Sequence, residues 1–203
     1  RRFGDVYFRS RRTRIGGDLL MSRYPVNIPE ASVENFEIVK YQYNGTTDEF
    51  AGFIEPAGEY THLLMDNVSI MSDVTREYRE CQDFINAATG DVLIAGLGLG
   101  HVHQPLLDNP NVTSVTIIEK YQEVIDLVWD HCVKDDRFSV IKADIYTWTP
   151  MGTYDVAWFD SWIGENMNEG DEVYYSPSYE STMTSRYDSS CNQMFFWRSE
   201  RTP

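Results

Sequence analysis

No run in this chain approaches the roughly 20 apolar residues needed to cross a bilayer, so a helical membrane span is not expected. The first residues are arginine-rich without an apolar centre, which is not the pattern of a secretory signal. Cysteine is scarce: Cys81, Cys132 and Cys191 stand far apart, with no CxxC pair. That spacing excludes a disulfide framework or a zinc cluster and predicts idle thiols in a reducing, cytoplasmic setting. Positive charge is also short, with 17 Lys and Arg against 32 Asp and Glu and a net charge of −15. Most of the positive charge sits at one end. Residues 1–23 hold seven arginines and two aspartates, +5, which leaves −20 for the rest. A body so acidic repels a phosphate backbone, which disfavours nucleic acid as a partner and suits cationic small molecules.

The first 20 residues have two readings. One is a basic arm that touches nucleic acid or an acidic partner. In the other they are not native: Gly16-Gly17-Asp18 resembles a translated ribosome-binding stretch, and Met21 is the natural start. With 203 residues, 42% hydrophobic, the chain suits one domain with a small appendage.

Residues 36–71 read as strands. Phe36 to Tyr43 leads into Asn44-Gly45, a strong hairpin signal, across which Asp48 to Phe53 is expected to pair back. His62 to Met65 and Val68 to Met71 form a second expected hairpin, turning at Asp66-Asn67. Ser72-Asp73 then reads as a helix cap, with Val74, Tyr78, Cys81, Phe84, Ile85 and Ala88 on one face and Gly90 as the stop. Tyr78 is first a core residue on that face and second a candidate cofactor contact.

The central stretch is Asp91-Val-Leu-Ile-Ala-Gly96-Leu-Gly98-Leu-Gly100. A short apolar strand ends in glycines at alternate positions, and His101 to Asn109 is expected to start a helix, with Pro105 in its first turn. Glycine lets the backbone turn sharply and leaves a ligand access to backbone amides. Three further strands follow, at Val112 to Glu119, Phe138 to Ala143 and Tyr154 to Phe159, with a helix from Tyr121 to Cys132. The alternation implies a doubly wound, mostly parallel α/β sheet behind a small antiparallel β unit. After Gly164 the pattern weakens. Asn166 to Glu172 is polar, Tyr174 to Ser190 is hydroxyl-rich, and Met194 to Trp197 is one last short strand.

The strands end in the glycine turn, then Glu119, Asp144 and Asp160. Glu119 lies 19 positions beyond Gly100, close to the spacing at which a carboxylate reaches both hydroxyls of a ribose. A nicotinamide fingerprint needs glycine at its sixth position, where His101 stands. His101 and His103 project to nearly opposite sides of a helix, so no metal site is expected from them.

Gly96-x-Gly98-x-Gly100 resembles the first motif of class I S-adenosylmethionine-dependent methyltransferases. The resemblance implies a Rossmann-like methyltransferase fold, with Gly96, Gly98 and Gly100 at the cofactor, Glu119 on its ribose, and Asp144 with Ile145 beside its adenine. Asp160 then faces the reacting group as the catalytic candidate. From Met65 to Asp160 the layout is similar to the spermidine-synthase-like branch, including Tyr78-Arg-Glu, Asn109-Pro110 and Asp160-Ser161. This branch implies a β-rich lid at residues 21–71 before a cofactor domain at 72–203, shortened at its C-terminus. The aminopropyl-transferring members carry an Asp where Leu99 stands and another where Trp162-Ile163-Gly164 stands. The implied cofactor is S-adenosylmethionine or its decarboxylated form, the implied partner a small-molecule substrate, and a homo-oligomer fits the aromatic tail. Methyl transfer to an amine or hydroxyl leads. Aminopropyl transfer, acceptor-free cofactor breakdown and a non-catalytic binding module stay open.

Overall fold

The computed structural model describes residues 26–48, 53–161 and 177–197. The basic arm, Met21, Trp162 to Gly164 and the stretch Asn166 to Glu172 lie outside them. Two sheets organise the rest. The first is antiparallel, built from β1 (Ala31–Val33), β2 (Phe36–Tyr43), β5 (Gly58–Met65) and β6 (Val68–Ser72) in that order. Between β2 and β5 the short strands β3 (Thr46–Asp48) and β4 (Phe53–Glu55) pair only with each other. The turn at Asn44-Gly45 therefore does not close a hairpin onto β2, contrary to the sequence expectation. The partner of β2 is β5, matched along its full length from Phe36↔Met65 to Tyr43↔Gly58. Gly45 takes φ 81° there, with Ala57 backbone packed against it, and leads the chain away from β2. The Asp66-Asn67 turn forms as expected, both residues left-handed at φ 53° and 63°, the geometry of a two-residue hairpin loop.

Two short helices follow, α1 (Thr75–Glu80) and α2 (Gln82–Ala87), where one continuous helix was expected from Ser72. Asp73 does not cap it. Its buried carboxylate instead accepts the Thr61 amide of β5 at 2.7 Å and the Val26 amide at 3.4 Å. The first amide of α1, on Thr75, donates to Glu55 at 2.8 Å, so the cap comes from β4, 20 positions earlier. Gly90 has the left-handed φ of 59° but opens the next strand rather than closing α2, which ends at Ala87.

The second sheet is parallel and five-stranded. In chain order it contains β7 (Gly90–Ala95), α3 (His103–Asp108), β8 (Val112–Glu119), α4 (Gln122–Val128), a 3₁₀ turn at Trp129–His131, β9 (Phe138–Lys142), β10 (Tyr154–Phe159), α5 (Pro177–Tyr187) and β11 (Cys191–Phe196). The spatial order is β11-β10-β7-β8-β9. Winding runs outward from β7 through β8 to β9, then restarts on the other side with β10 and β11. Right-handed crossovers place helices on opposite faces of the sheet for these two directions. The core divides accordingly. Val92, Ile94, Val115, Ile117 and Trp158 pack with Phe84 of α2, Leu106 of α3 and Leu127 of α4. Leu93, Ala95, Ile118 and Phe159 pack with Tyr179, Met183 and Tyr187 of α5. Alternate residues of each strand thus serve opposite cores, the pattern of a sheet covered on both faces.

α5 lies inside the stretch whose sequence suggested no regular structure. Its buried residues Tyr179, Met183 and Tyr187 recur every four positions, the one helical signal in a segment otherwise rich in serine and threonine. The antiparallel sheet shares the first core: Phe36, Ile38 and Leu63 are buried in the same cluster as Val124 and Leu127. Among the described residues no helix is long and apolar enough to cross a membrane.

Candidate functional site

In an open α/β sheet, ligands bind beyond the carboxyl ends of the strands where the winding direction reverses. Here that point lies between β7 and β10. The chain leaves β7 through Gly96 and leaves β10 through Asp160, and the two exits touch: Asp160 donates its amide to Ala95 O at 2.9 Å. A side chain at Gly96 would collide with the Asp160 carbonyl, and the residue sits at φ 98°. Both facts demand glycine at this exit. On the other flank Gly96 donates its amide to Ile118 O at 2.9 Å, which ties the loop to the end of β8.

Glu119, the last residue of β8, turns its carboxylate into this loop. It accepts the Leu97 amide at 2.8 Å through one oxygen and the Tyr121 amide at 2.8 Å through the other. The side chain is buried, and burial holds its pKa above the usual carboxylate range while the amides of Tyr121, Leu97 and Lys120 pull it back. A carboxylate offers about four lone-pair sites, so acceptor capacity remains beyond these amides. Glu119 is therefore placed beside the glycine loop with lone pairs to offer.

The rest of the loop is closely tied down. Gly100 donates to Leu97 O at 2.9 Å and His103 to Gly100 O at 3.0 Å. Leu97 and Leu99 send their side chains into the core, 5% and 1% exposed, so the loop presents backbone. The helix beyond it is shorter than expected. α3 has only six residues, starts at His103, and has Val102 at its cap with no capping side chain. Tyr78 lies beneath the loop, 3% exposed, its hydroxyl donating to His101 O. In this structure Tyr78 props the backbone that follows the glycines, in keeping with its reading as a core residue.

Asp144 follows β9. One of its carboxylate oxygens accepts the Tyr146 amide at 2.9 Å and the other lies 3.4 Å from Lys120 Nζ, an exposed pair that contributes little to stability. Ile145 is buried in the core on the α5 side, and its carbonyl accepts the Tyr187 hydroxyl at 2.6 Å. Asp160 is half-buried at the end of β10. Burial, with a smaller contribution from the negative charge of Asp160, pushes Cys81 below and Tyr179 on α5 to higher pKa. The neighbouring Ser161 hydroxyl shares a 2.7 Å hydrogen bond with the Tyr179 hydroxyl.

The structure thus gathers Gly96, Gly98, Glu119 and Asp160 at adjacent strand ends, with Asp144 one strand further out. Two residues at this place had no sequence signal. Tyr179 comes from the unrecognised helix. Met71 comes from β6, and its sulfur accepts the Leu99 amide at 3.2 Å. A cleft of about 570 Å³ lies elsewhere, bordered by Ile28, Lys40, Thr61 and His131, and includes none of the strand-end residues. Chemistry and cavity do not coincide here. The strand ends have the stronger claim, because polar groups converge there at a reversal of winding.

His101 and His103 are both buried, each with an Nδ1 that has no hydrogen-bond partner, and burial lowers both pKa values to about 4. They stay neutral near pH 7. No group of three or more metal-ligating side chains occurs among the described residues.

No protein-family model and no curated protein matches the chain. Solved structures similar to it include a DhpI–SAM–HEP complex, 17% identical, covering 60% of this chain and 53% of that one with a TM-score of 0.43. Another is the glycopeptide N-methyltransferase MtfA complexed with S-adenosyl-L-homocysteine, 20% identical over 58% of this chain and 47% of that one, TM-score 0.40. A dimethyladenosine transferase from Plasmodium falciparum is 18% identical over 53% and 35%, TM-score 0.36. The chain spans about half the length of the first of these structures.

Proposed function

We propose that this chain binds S-adenosylmethionine at the β7–β8–β10 strand ends and transfers its methyl group to a small-molecule amine or hydroxyl. The observation that carries the reading is Glu119. A buried carboxylate at the end of the second parallel strand, bonded to the glycine loop of the first, is positioned to accept a pair of ribose hydroxyls. Gly96 and Gly98 also let the loop pack backbone to backbone against the β10 exit and under Met71, which brings Glu119 and Asp160 to one place.

The bound sulfonium supplies an electrophilic carbon, and the protein's part is to aim it. Glu119 holds the ribose, Asp144 lies toward the base, and the loop amides meet the amino-acid end. Fixing donor and acceptor in line lowers the barrier by orientation rather than by covalent chemistry. Asp160 stands at the β10 exit, where it orients an attacking amine or hydroxyl and accepts its proton. The antiparallel sheet, residues 21–71 in this reading, acts as a lid over the domain at 72–203. A lid of this kind is what the spermidine-synthase-like resemblance implies.

Aminopropyl transfer from decarboxylated S-adenosylmethionine is the second reading. One observation counts against it: Leu99, at the place where that branch carries an acid, is turned into the core and leaves only its amide at the loop. Calorimetry with S-adenosylmethionine, its decarboxylated form and S-adenosylhomocysteine separates these readings. Turnover by the wild type and not by Asp160→Asn, with binding retained, marks an enzyme; equal binding without product in either marks a binding module. No binding to any of the three removes the proposal.

A further inference from the structure

Among the loop amides with an identified acceptor, one differs in kind. Gly96, Leu97 and Gly100 donate to oxygen, at 2.9, 2.8 and 2.9 Å. Leu99 donates to the thioether of Met71 at 3.2 Å. A thioether is a weak acceptor, so this amide is the least firmly committed of the four. The same sulfur covers Gly98, where a Cβ would approach it to well under 3.0 Å. Met71 therefore lies across the loop at Gly98, in space that a side chain there would need.

The antiparallel sheet aims it there. Leu64 pairs with Ser69 but Leu63 pairs with Met71, so Ile70 is an extra residue in β6. A bulge of this type bends the strand and redirects the side chains that follow it. Methionine is also the side chain best able to leave such a position, being unbranched and flexible.

We infer that Met71 is a specificity-determining gate: its thioether holds the Leu99 amide until a ligand carboxylate takes that amide and displaces the side chain. The inference rests on the adenosyl-ligand reading of the strand ends and adds to it. A carboxylate makes a charge-assisted bond to an amide that a thioether cannot match. A ligand with the amino-acid end must nevertheless give up part of that gain to move Met71. A ligand without it, such as 5′-methylthioadenosine, binds at Glu119 and leaves Met71 in place. Met71 thus weights the site against carboxylate-bearing ligands relative to truncated ones.

The test compares S-adenosylmethionine with 5′-methylthioadenosine on the full chain, by calorimetry and by methionine-methyl NMR, with Met71→Leu identifying the Met71 signal. Met71→Ala is expected to raise the affinity for S-adenosylmethionine relative to 5′-methylthioadenosine by about fivefold, the weight of one ordinary hydrogen bond. In the wild type the Met71 methyl signal is expected to move with S-adenosylmethionine and to stay with 5′-methylthioadenosine. A merely structural role would change both affinities together. Equal changes in Met71→Ala, or a Met71 signal indifferent to S-adenosylmethionine, overturns the gate while leaving the adenosyl site standing. The wild-type NMR comparison holds even if a variant fails to fold. Absence of binding by either ligand removes the gate and the proposed function together.

Discussion

Replacing Gly96 with alanine tests the strand-end geometry without any ligand. The residue has φ 98°, and its missing Cβ faces the Asp160 carbonyl, a backbone atom at the end of β10. An L residue held at left-handed φ loses roughly 1–2 kcal/mol. Moving the β10 exit aside strains the Asp160 amide to Ala95 carbonyl bond, about 1 kcal/mol more. The expected loss is about 2–3 kcal/mol, a large part of the ~5–15 kcal/mol that holds a domain of this kind together. Gly98→Ala is the matched comparison. Its φ of 51° carries a similar backbone penalty, but its new Cβ meets only the flexible Met71 side chain. Met71→Ala should therefore relieve part of the Gly98→Ala penalty in a double-mutant cycle and none of the Gly96→Ala penalty. Urea unfolding of the wild type, the three single variants and the two double variants measures all of this. A Gly96→Ala protein within about 0.5 kcal/mol of the wild type, or one rescued by Met71→Ala, would refute the account of the loop.

Acid should weaken the fold through His101 and His103, whose pKa values are lowered to about 4 chiefly by burial. The unfolded chain takes up those protons near the ordinary pKa of 6.5, so stability is fully present above that value and is lost as pH falls toward 4, by up to about 3 kcal/mol for each histidine. Glu119 works in the opposite direction, because a carboxyl with raised pKa favours the folded state as it protonates. Urea unfolding at pH 7 and pH 5 measures the balance. A lower midpoint at pH 5, with a smaller drop in His101→Leu, is expected; an unchanged midpoint contradicts it. Tyr78→Phe should lose about 1–2 kcal/mol by stranding the His101 carbonyl and weaken ligand binding only modestly, since the hydroxyl supports the loop from beneath. A loss of binding far exceeding the loss of stability would instead make Tyr78 a ligand contact.

The strands of the parallel sheet were legible because period and punctuation agree: Val112 to Glu119 and Tyr154 to Phe159 are apolar, β-branched or aromatic, and end in acids. The glycine loop was legible for the same reason, and Glu119 through its distance from it. Long-range pairing was not. Asn44-Gly45 carries a hairpin signal, yet β2 finds a longer and better matched partner in β5, and local turn preference yields to that tertiary gain. The cap of α1 comes from Glu55 and the thioether over Gly98 from Met71, both brought in by the antiparallel sheet. No local window contains such contacts. α5 was hidden by its serines and threonines, which favour turns over helix interiors, although Tyr179, Met183 and Tyr187 keep helical spacing. Thus the strand-end residues of the candidate site were readable in order along the chain. Its covering groups depend on the fold.

The most direct test of the central claim is calorimetric titration of S-adenosylmethionine into the wild type and into Glu119→Gln. Glutamine has one acceptor oxygen where Glu119 serves amides through both, and places an NH₂ against one of them. Saturable one-site binding to the wild type is expected, weakened about tenfold or more in the variant, because a charged hydrogen-bonding group is lost. Binding that is absent in the wild type, or equally tight in Glu119→Gln, would contradict it.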